Sequence, residues 1–412
     1  MATLIGNTAK VAFAKDPGRA SNAYSIYPAI TQATLGSEDL LPLLSEGVEN
    51  VPTRLESKAF VGDAFENNSE ISKINVGGSV KTEAYYEGAI PELILCTMGF
   101  ENVNPAAYGG SPASLGGGAY RHIIELDQFL GRQGYLAGEE VRTDAGIYAG
   151  DHKVRSGALG IDKTVVVERI RSAMINQMTV NVAPESIDFD FDMVGYSRTP
   201  ADPGGFNAGN WTLPSVIKRA LFTNMEVKLG TLTTGLGFDF QALTKVNQLS
   251  IVLNNNLKKD DQTTGQTFYI EEPLRNDFGA IEVSFKLARH ETRLMLDRLD
   301  ADSTMYMMMT FTGSQIGTSG FYYTHRFYLP AMKFVTAKDS LSGAGIIAPD
   351  YKLKAYKPAA FPNYGLGFAS GYIYTTKLLK GTQLTITPTT YTGSAMIAEI
   401  INTKSSNYLS YF

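Results

Sequence analysis

The chain carries one arrangement twice, and this constrains its fold more than any other feature. Val80, Thr82, Ala84 and Tyr86 alternate with polar residues and lead, through Gly88 and Ala89, into Pro91-Glu92-Leu93-Ile94-Leu95-Cys96-Thr97-Met98. Ile281, Val283, Phe285 and Leu287 alternate in the same way ahead of Arg293-Leu294-Met295-Leu296-Asp297-Arg298-Leu299. Laid one on the other, Leu93 falls on Leu294, Ile94 on Met295, Leu95 on Leu296 and Met98 on Leu299. Downstream, Tyr120-Arg121-His122-Ile123-Ile124-Glu125-Leu126 matches Tyr323-Thr324-His325-Arg326-Phe327-Tyr328-Leu329 as Y-x-H-x-(I/F)-x-L. Self-similarity settles architecture before local propensity does. A strand, a short helix and a further strand, made twice, describe an assembly unit better than an active site.

Composition agrees. The 412 residues suffice for two or three domains with ample core. Gly at 40, Tyr at 22 and Phe at 21 lean towards a turn-rich β protein, because aromatic side chains suit strands and Gly interrupts them. A net charge of −5 argues against a protein that binds nucleic acid by neutralising phosphates. The one cysteine, Cys96, excludes an intramolecular disulfide and reads as a buried thiol. Met1-Ala2-Thr3-Leu4-Ile5-Gly6 lacks the charged-then-apolar pattern of a secretory leader, and no apolar run nears the ~20 residues that span a bilayer. The expectation is folding in a cytoplasm, with no membrane partner.

The chain divides into an N-terminal arm (1–50), a first unit with long inserted loops (51–212), a second unit (213–358) and a β-rich extension (359–412). Short helices are expected at about 90–98 and 290–299, with Pro91 near the start of the first and Gly99 past its end. A strand is expected from Phe60 to Phe65, and a hairpin turn at Asn67-Asn68 or Gly77-Gly78. The clearest strand places Ile187, Phe189, Phe191 and Met193 on one face and Asp188, Asp190 and Asp192 on the other. The Gly- and Ala-rich stretches 101–118 and 131–160 are too long for simple connections and are expected to make contacts between rings or subunits.

No catalytic constellation stands out, and no cofactor or metal site is expected. Gly116-Gly117-Gly118 precedes a strand-like run and not the helix a phosphate cradle needs. His290-Glu291-Thr292-Arg293-Leu294 has Leu294 where a zinc-protease helix needs its second histidine. His122, His152, His290 and His325 are scattered, and the repeated pair His122 and His325 reads as packing or hydrogen bonding. Asp188, Asp190 and Asp192 lack the sharp Gly turn and terminal Glu of a calcium loop, so they read as a solvated or channel-facing stripe.

Several features in order carry a resemblance. They are the strand and helix over Glu83–Gly99, the Gly-rich loop, Gly118-Ala119-Tyr120-Arg121-His122, and the Asp-rich strand ending Met193-Val194-Gly195. Further on come Leu253-Asn254-Asn255-Asn256-Leu257, the strand and helix over Ile281–Leu299, and Tyr328-Leu329-Pro330-Ala331-Met332. Over residues 51–357 the chain resembles the tail tube proteins of long-tailed, siphovirus-type bacteriophages, in the larger form with a duplicated tube domain. The resemblance implies a mainly β fold: two similar β-sandwich or half-barrel domains, each with a flanking helix, joining neighbours into a closed barrel ring. It implies a structural virion protein, not an enzyme, made in the host cytoplasm. Its partners would be itself, the tape measure, terminator and distal tail proteins, and DNA that passes through unbound. Three copies would give a ring of pseudo-sixfold symmetry, stacked helically, with a hexamer as the alternative. The competing class is a secreted or surface β protein that binds carbohydrate, with tyrosines and Trp211 stacking on sugars.

If the repeated strand lines the channel, its polar residues point inward: Lys81, Glu83 and Tyr85 in the first unit, Glu282, Ser284 and Lys286 in the second. The alternate residues then pack beneath the helix. The charges in this set cancel, so Asp188, Asp190 and Asp192 are the candidates for a negative lining.

Overall fold

The computed structural model describes residues 9–16, 34–56, 69–101, 113–126, 156–164, 166–200, 208–214, 218–233, 237–243, 246–259, 273, 276–277, 279–289, 294–338, 349–356, 372–373, 389–390 and 396–404. Through the first half run β1 (Lys10–Lys15), β2 (Leu43–Glu46), β3 (Glu49–Glu56), β4 (Ser69–Glu83), α1 (Ala89–Met98), β5 (Gly99–Glu101), β6 (Ala113–Gly116), β7 (Ala119–Leu126), β8 (Ser156–Asp162), β9 (Val167–Val182), β10 (Ile187–Gly195) and β11 (Ser197–Pro200). The second half holds β12 (Met225–Thr233), β13 (Gly237–Ala242), β14 (Val246–Asn254), β15 (Ala280–Leu287), α2 (Leu294–Asp300), β16 (Met305–Gln315), β17 (Tyr322–Lys338) and β18 (Asp350–Ala355). Beyond these come β19 (Tyr372–Ile373), β20 (Thr389–Thr390) and β21 (Ile397–Asn402).

The fold is mainly β. All strands but β19 and β20 join one large antiparallel sheet, which does not close into a barrel. Two long strands organise it, and each forks. The C-terminal half of β9 lies between β10 and β14, and its N-terminal half between β11 and β8. The N-terminal half of β17 lies between β16 and β21, and its C-terminal half pairs with β18. One layer therefore runs β2/β3, β4, β10, β9, β14, β15, β18, β17. The other halves of the long strands carry β1 and β8 on one side, and β12, β16, β21 and β7 on the other.

Alternation decides which side of the first layer is core. Val80, Thr82, Ala84, Phe189, Phe191, Ile281, Val283 and Phe285 are all buried, as the sequence pattern requires. Their cover differs from the expected helix. Tyr86 stacks on His325 at 5.0 Å and 14°, and Phe189 sits 6.4 Å from Phe327, so the N-terminal half of β17 closes this part of the core. Helix α1 packs mainly on β9, β1 and β7. It is buried on every side except at Glu92, and Gly99 closes it in the left-handed conformation, donating its N–H to the Leu95 carbonyl.

The N-terminal residues expected as an arm contribute β1 and β2, which enter the sheet against β8 and β4. Gly77-Gly78 is not a turn. Both lie within β4, where Gly78 has φ +148 and a Cβ would collide with the Gly47 carbonyl. Residues 57–68, which hold the expected Phe60–Phe65 strand and the Asn67-Asn68 turn, lie outside the described residues. So do 102–112 and 127–155, the greater part of both Gly-rich stretches, and 290–293 at the start of the second expected helix.

Candidate functional site: the polar face of the long layer

Strand register gathers the nine residues singled out from the sequence onto one face. Lys81 is opposite Asp190 and Glu83 opposite Asp188, on β4 and β10. Across β9, Asp188, Asp190 and Asp192 lie level with Asn181, Thr179 and Gln177. These are level in turn with Ser250, Val252 and Asn254 on β14. Ser250 and Val252 then face Ser284 and Glu282, with Lys286 opposite Gln248. Tyr85, just past β4, joins this face, since its hydroxyl bonds to Glu83 and burial with that carboxylate raises its pKa. Two halves of the sequence thus build one surface.

The aspartate stripe is partnered within the fold. Asp188 accepts a hydrogen bond from Asn181 Nδ2 at 3.0 Å and lies 3.3 Å from Lys81 Nζ. Asp192 accepts from Asn176 Nδ2 at 2.8 Å and from Lys259 Nζ at 2.6 Å. Asp190 sits between them with its carboxyl pKa raised by burial, the attraction of Lys81 opposing and Asp188 and Asp192 adding. Glu83 takes Arg219 at 3.1 Å. Among the described residues no three His, Cys, Asp or Glu side chains converge as a metal cage.

On the far side of the same face stand residues that the sequence reading passed over. Lys354 is opposite Glu282, Lys352 opposite Ser284 and Asp350 opposite Lys286. Lys354 is also level with Lys333 on β17, whose Nζ lies 2.5 Å from Asp302. Lys352 and Lys354 are exposed and have no ion-pair partner among the described residues. The signal was there in Tyr351-Lys352-Leu353-Lys354-Ala355, an alternation as clean as the aspartate strand but with basic polar positions.

Behind this face lies a second group. β21 runs between β7 and β17, with His122 and His325 both opposite Ile400. Glu399 is buried there, 2.6 Å from Arg121 Nε and 2.5 Å from an Arg326 terminal nitrogen. Burial would raise the Glu399 pKa, but the two guanidinium groups outweigh it and hold the carboxyl below its usual range. Burial likewise disfavours the Arg326 cation, and Tyr328 and Glu399 more than offset it. At the end of the strand Asn402 donates to the Tyr86 carbonyl, and beyond it Thr403 donates to Glu87 and Lys404 Nζ to Glu92 at 2.8 Å. The two histidines point ring Nε2 at backbone carbonyls, His122 at Lys404 (3.1 Å) and His325 at Tyr85 (2.8 Å). Burial drives the His325 pKa down to about 4, so its Nε2 is a neutral N–H donor.

Comparison with protein-family models and with curated proteins gives no match for this chain. Among the described residues, no helix is long and apolar enough to cross a membrane.

Proposed function

We propose that the chain is the subunit of a self-assembled tube, with the polar face of the long layer lining the bore, as in phage tail tube proteins. The observation that carries this reading is a repeated order of strands. In the first half β1 pairs β8, β8 pairs β9, β9 pairs β10, and β10 pairs β4 next to β2/β3. In the second half β12 pairs β16, β16 pairs β17, β17 pairs β18, and β18 pairs β15 next to β14. A helix follows β4 in one series and β15 in the other. In this correspondence the counterpart of β17 is β9. The Y-x-H match of β7 with β17 is therefore not a repeat equivalence, and β7 is an added strand.

The two series meet where β9 pairs β14. The same seam is open at the outer ends. Among the described residues, nothing pairs with the side of residues 333–338 opposite β18, and β2 pairs only with β4. Unpaired edges invite strand addition. Val335 is 56% exposed near one edge and Leu44 48% near the other. In the inner seam Val180 faces Ile251, and the counterparts of these residues are Phe334 and Leu43. A second copy joined head to tail by the same rule sets Leu43 against Phe334 and continues the layer. Such an interface is heterologous, and the proposed tube requires that its rotation close into a ring. With two units per chain, three copies give six equivalent positions.

The β3–β4 ribbon supplies a second contact. Every residue of β3 is exposed, with Leu55 at 65% and Val51 at 47%. A lone two-stranded ribbon is marginal in water, so a surface on the next ring is its natural cover. The mass of isolated rings tests the reading. Three chains per ring are expected, and six would mean that the second unit is not part of the wall.

A further inference from the structure

We infer that β21 is an exchangeable strand and that, when copies of this chain meet, the slot between β7 and β17 receives the C-terminal strand of a second copy. The inference does not depend on the tube reading, since exchange needs a neighbour and not a ring. β21 is paired along both edges, Ile397–Asn402 with β7 and Ile397–Ile401 with β17. Ala398, Ile400 and Asn402 are buried on one face and Glu399 on the other. Among the described residues β5 and β6 pair only with β7, and β7 joins the rest of the sheet only through β21. Without this strand the slot keeps two open edges, and the Arg121 and Arg326 guanidinium groups lose the carboxylate they share. That charge also fixes register, because a slip of one residue turns Glu399 to the opposite face.

The strand is bound tightly to its slot, yet what ties it to its own body is the chain from Tyr356 to Met396. The elements described along that stretch, β19 and β20, pair only with each other. A connection of about 40 residues reaches up to ~130 Å when extended, many times the spacing of neighbouring strands. Every contact of β21 is the same whether the slot belongs to its own chain or to a neighbour. Thr403 and Lys404, bound to Glu87 and Glu92, pass across with it. The choice therefore rests on the connection and on local concentration alone. A long connection gives the chain's own slot only a small advantage, and packed copies remove it. Each exchange then ties two copies together through a continuous chain without the loss of a contact.

Thr324 and Ile401 are opposed across β17 and β21, so a disulfide in Thr324→Cys/Ile401→Cys reports which chain supplies the strand. The concentrated full-length protein is oxidised and run on a denaturing gel without reductant. Exchange predicts covalently linked dimers and longer ladders, and dimers also from the two single variants expressed together. Chains that lose their introduced thiols yet migrate as monomers overturn the inference, and so does the absence of any disulfide. Complementation separates exchange from chance contact. Glu399→Leu expressed together with Arg121→Met/Arg326→Met should give a soluble complex of both chains, because exchange sets each strand in the slot that matches it. Glu399→Leu that stays insoluble in that mixture, while the single-chain triple variant is soluble, overturns the inference. Neither readout requires a tube, so exchange without tubes counts against the tube reading alone.

Discussion

Arg121 and Arg326 meet at one carboxylate, Glu399, although they sit on strands from opposite halves of the chain. The strand that carries Glu399 joins β7 to β17, so a buried ion group closes the seam between them. Removing the carboxylate leaves two buried cations opposed, at a cost of about 3–5 kcal/mol. Glu399→Leu should therefore unfold or strongly destabilise the protein in urea titration. The triple variant Arg121→Met/Glu399→Leu/Arg326→Met should recover most of the loss, because the desolvation of all three charges disappears together. A triple variant as unstable as Glu399→Leu would mean that the packing of β21 and not the charge group holds the seam.

His325 makes stability fall with acid. Its folded pKa, about 4, is below the ordinary 6.5, so between those values the unfolded chain takes up a proton that the folded chain does not. The contribution is intact above pH 6.5 and is lost progressively down to pH 4. Between pH 7 and 5 the loss is about 2 kcal/mol. Asp39 works the other way, since burial raises its pKa to about 6 and acid relieves that strain. The clean readout is therefore the comparison of wild type with His325→Phe by chemical denaturation at both pH values. The variant should lose less stability on acidification, and equal pH dependence would contradict a neutral buried imidazole.

The proposed seam between copies requires a definite register. Leu43→Cys and Phe334→Cys, mixed as single variants, should form an intermolecular disulfide under mild oxidation, since directly opposed strand residues fall within disulfide reach. Native Cys96 is buried and does not interfere. Shifting one cysteine to Ser45 should lower the yield. Equal cross-linking from both positions would show that the two edges do not pair in this register.

Gly78 sits where the ribbon leaves the sheet, at a φ that side chains avoid and against the Gly47 backbone. Gly78→Val should displace the ribbon and lower thermal stability by about 1–3 kcal/mol. Leu55→Ser should leave the melting temperature within error yet reduce polymer length in light scattering, since this side chain is 65% exposed. Full-length polymer from Leu55→Ser would remove the ribbon from the ring-to-ring contact.

Much of the fold was legible because alternation is strict where one face is buried. Val80 to Tyr86, Ile187 to Met193 and Ile281 to Phe285 all present the side that the pattern requires. Gly99 marked a helix end because its left-handed conformation is one that glycine alone adopts freely. The unread part depends on distant pairing. Nothing local in Lys10–Lys15 says that it pairs β8, and Gly77-Gly78 imitates a turn while serving a close backbone approach. Glu399 within Ile397-Ala398-Glu399-Ile400-Ile401 was a visible anomaly, a charge in an apolar run, but its two partners come from other strands. The aspartate stripe read as solvated or channel-facing because its partners Asn176, Asn181 and Lys259 lie on other strands or beyond them.

The central claim is that this chain builds a hollow tube with the polar face inside. Electron microscopy of the purified full-length protein, over a range of concentrations and salt, tests it most directly. The account predicts hollow tubes of stacked rings with threefold symmetry, Lys81, Asp190, Glu282 and Lys354 facing the bore and Val80 and Phe285 facing away from it. Particles that stay compact single chains under every condition, or a wall with Val80 or Phe285 facing the channel, would contradict it.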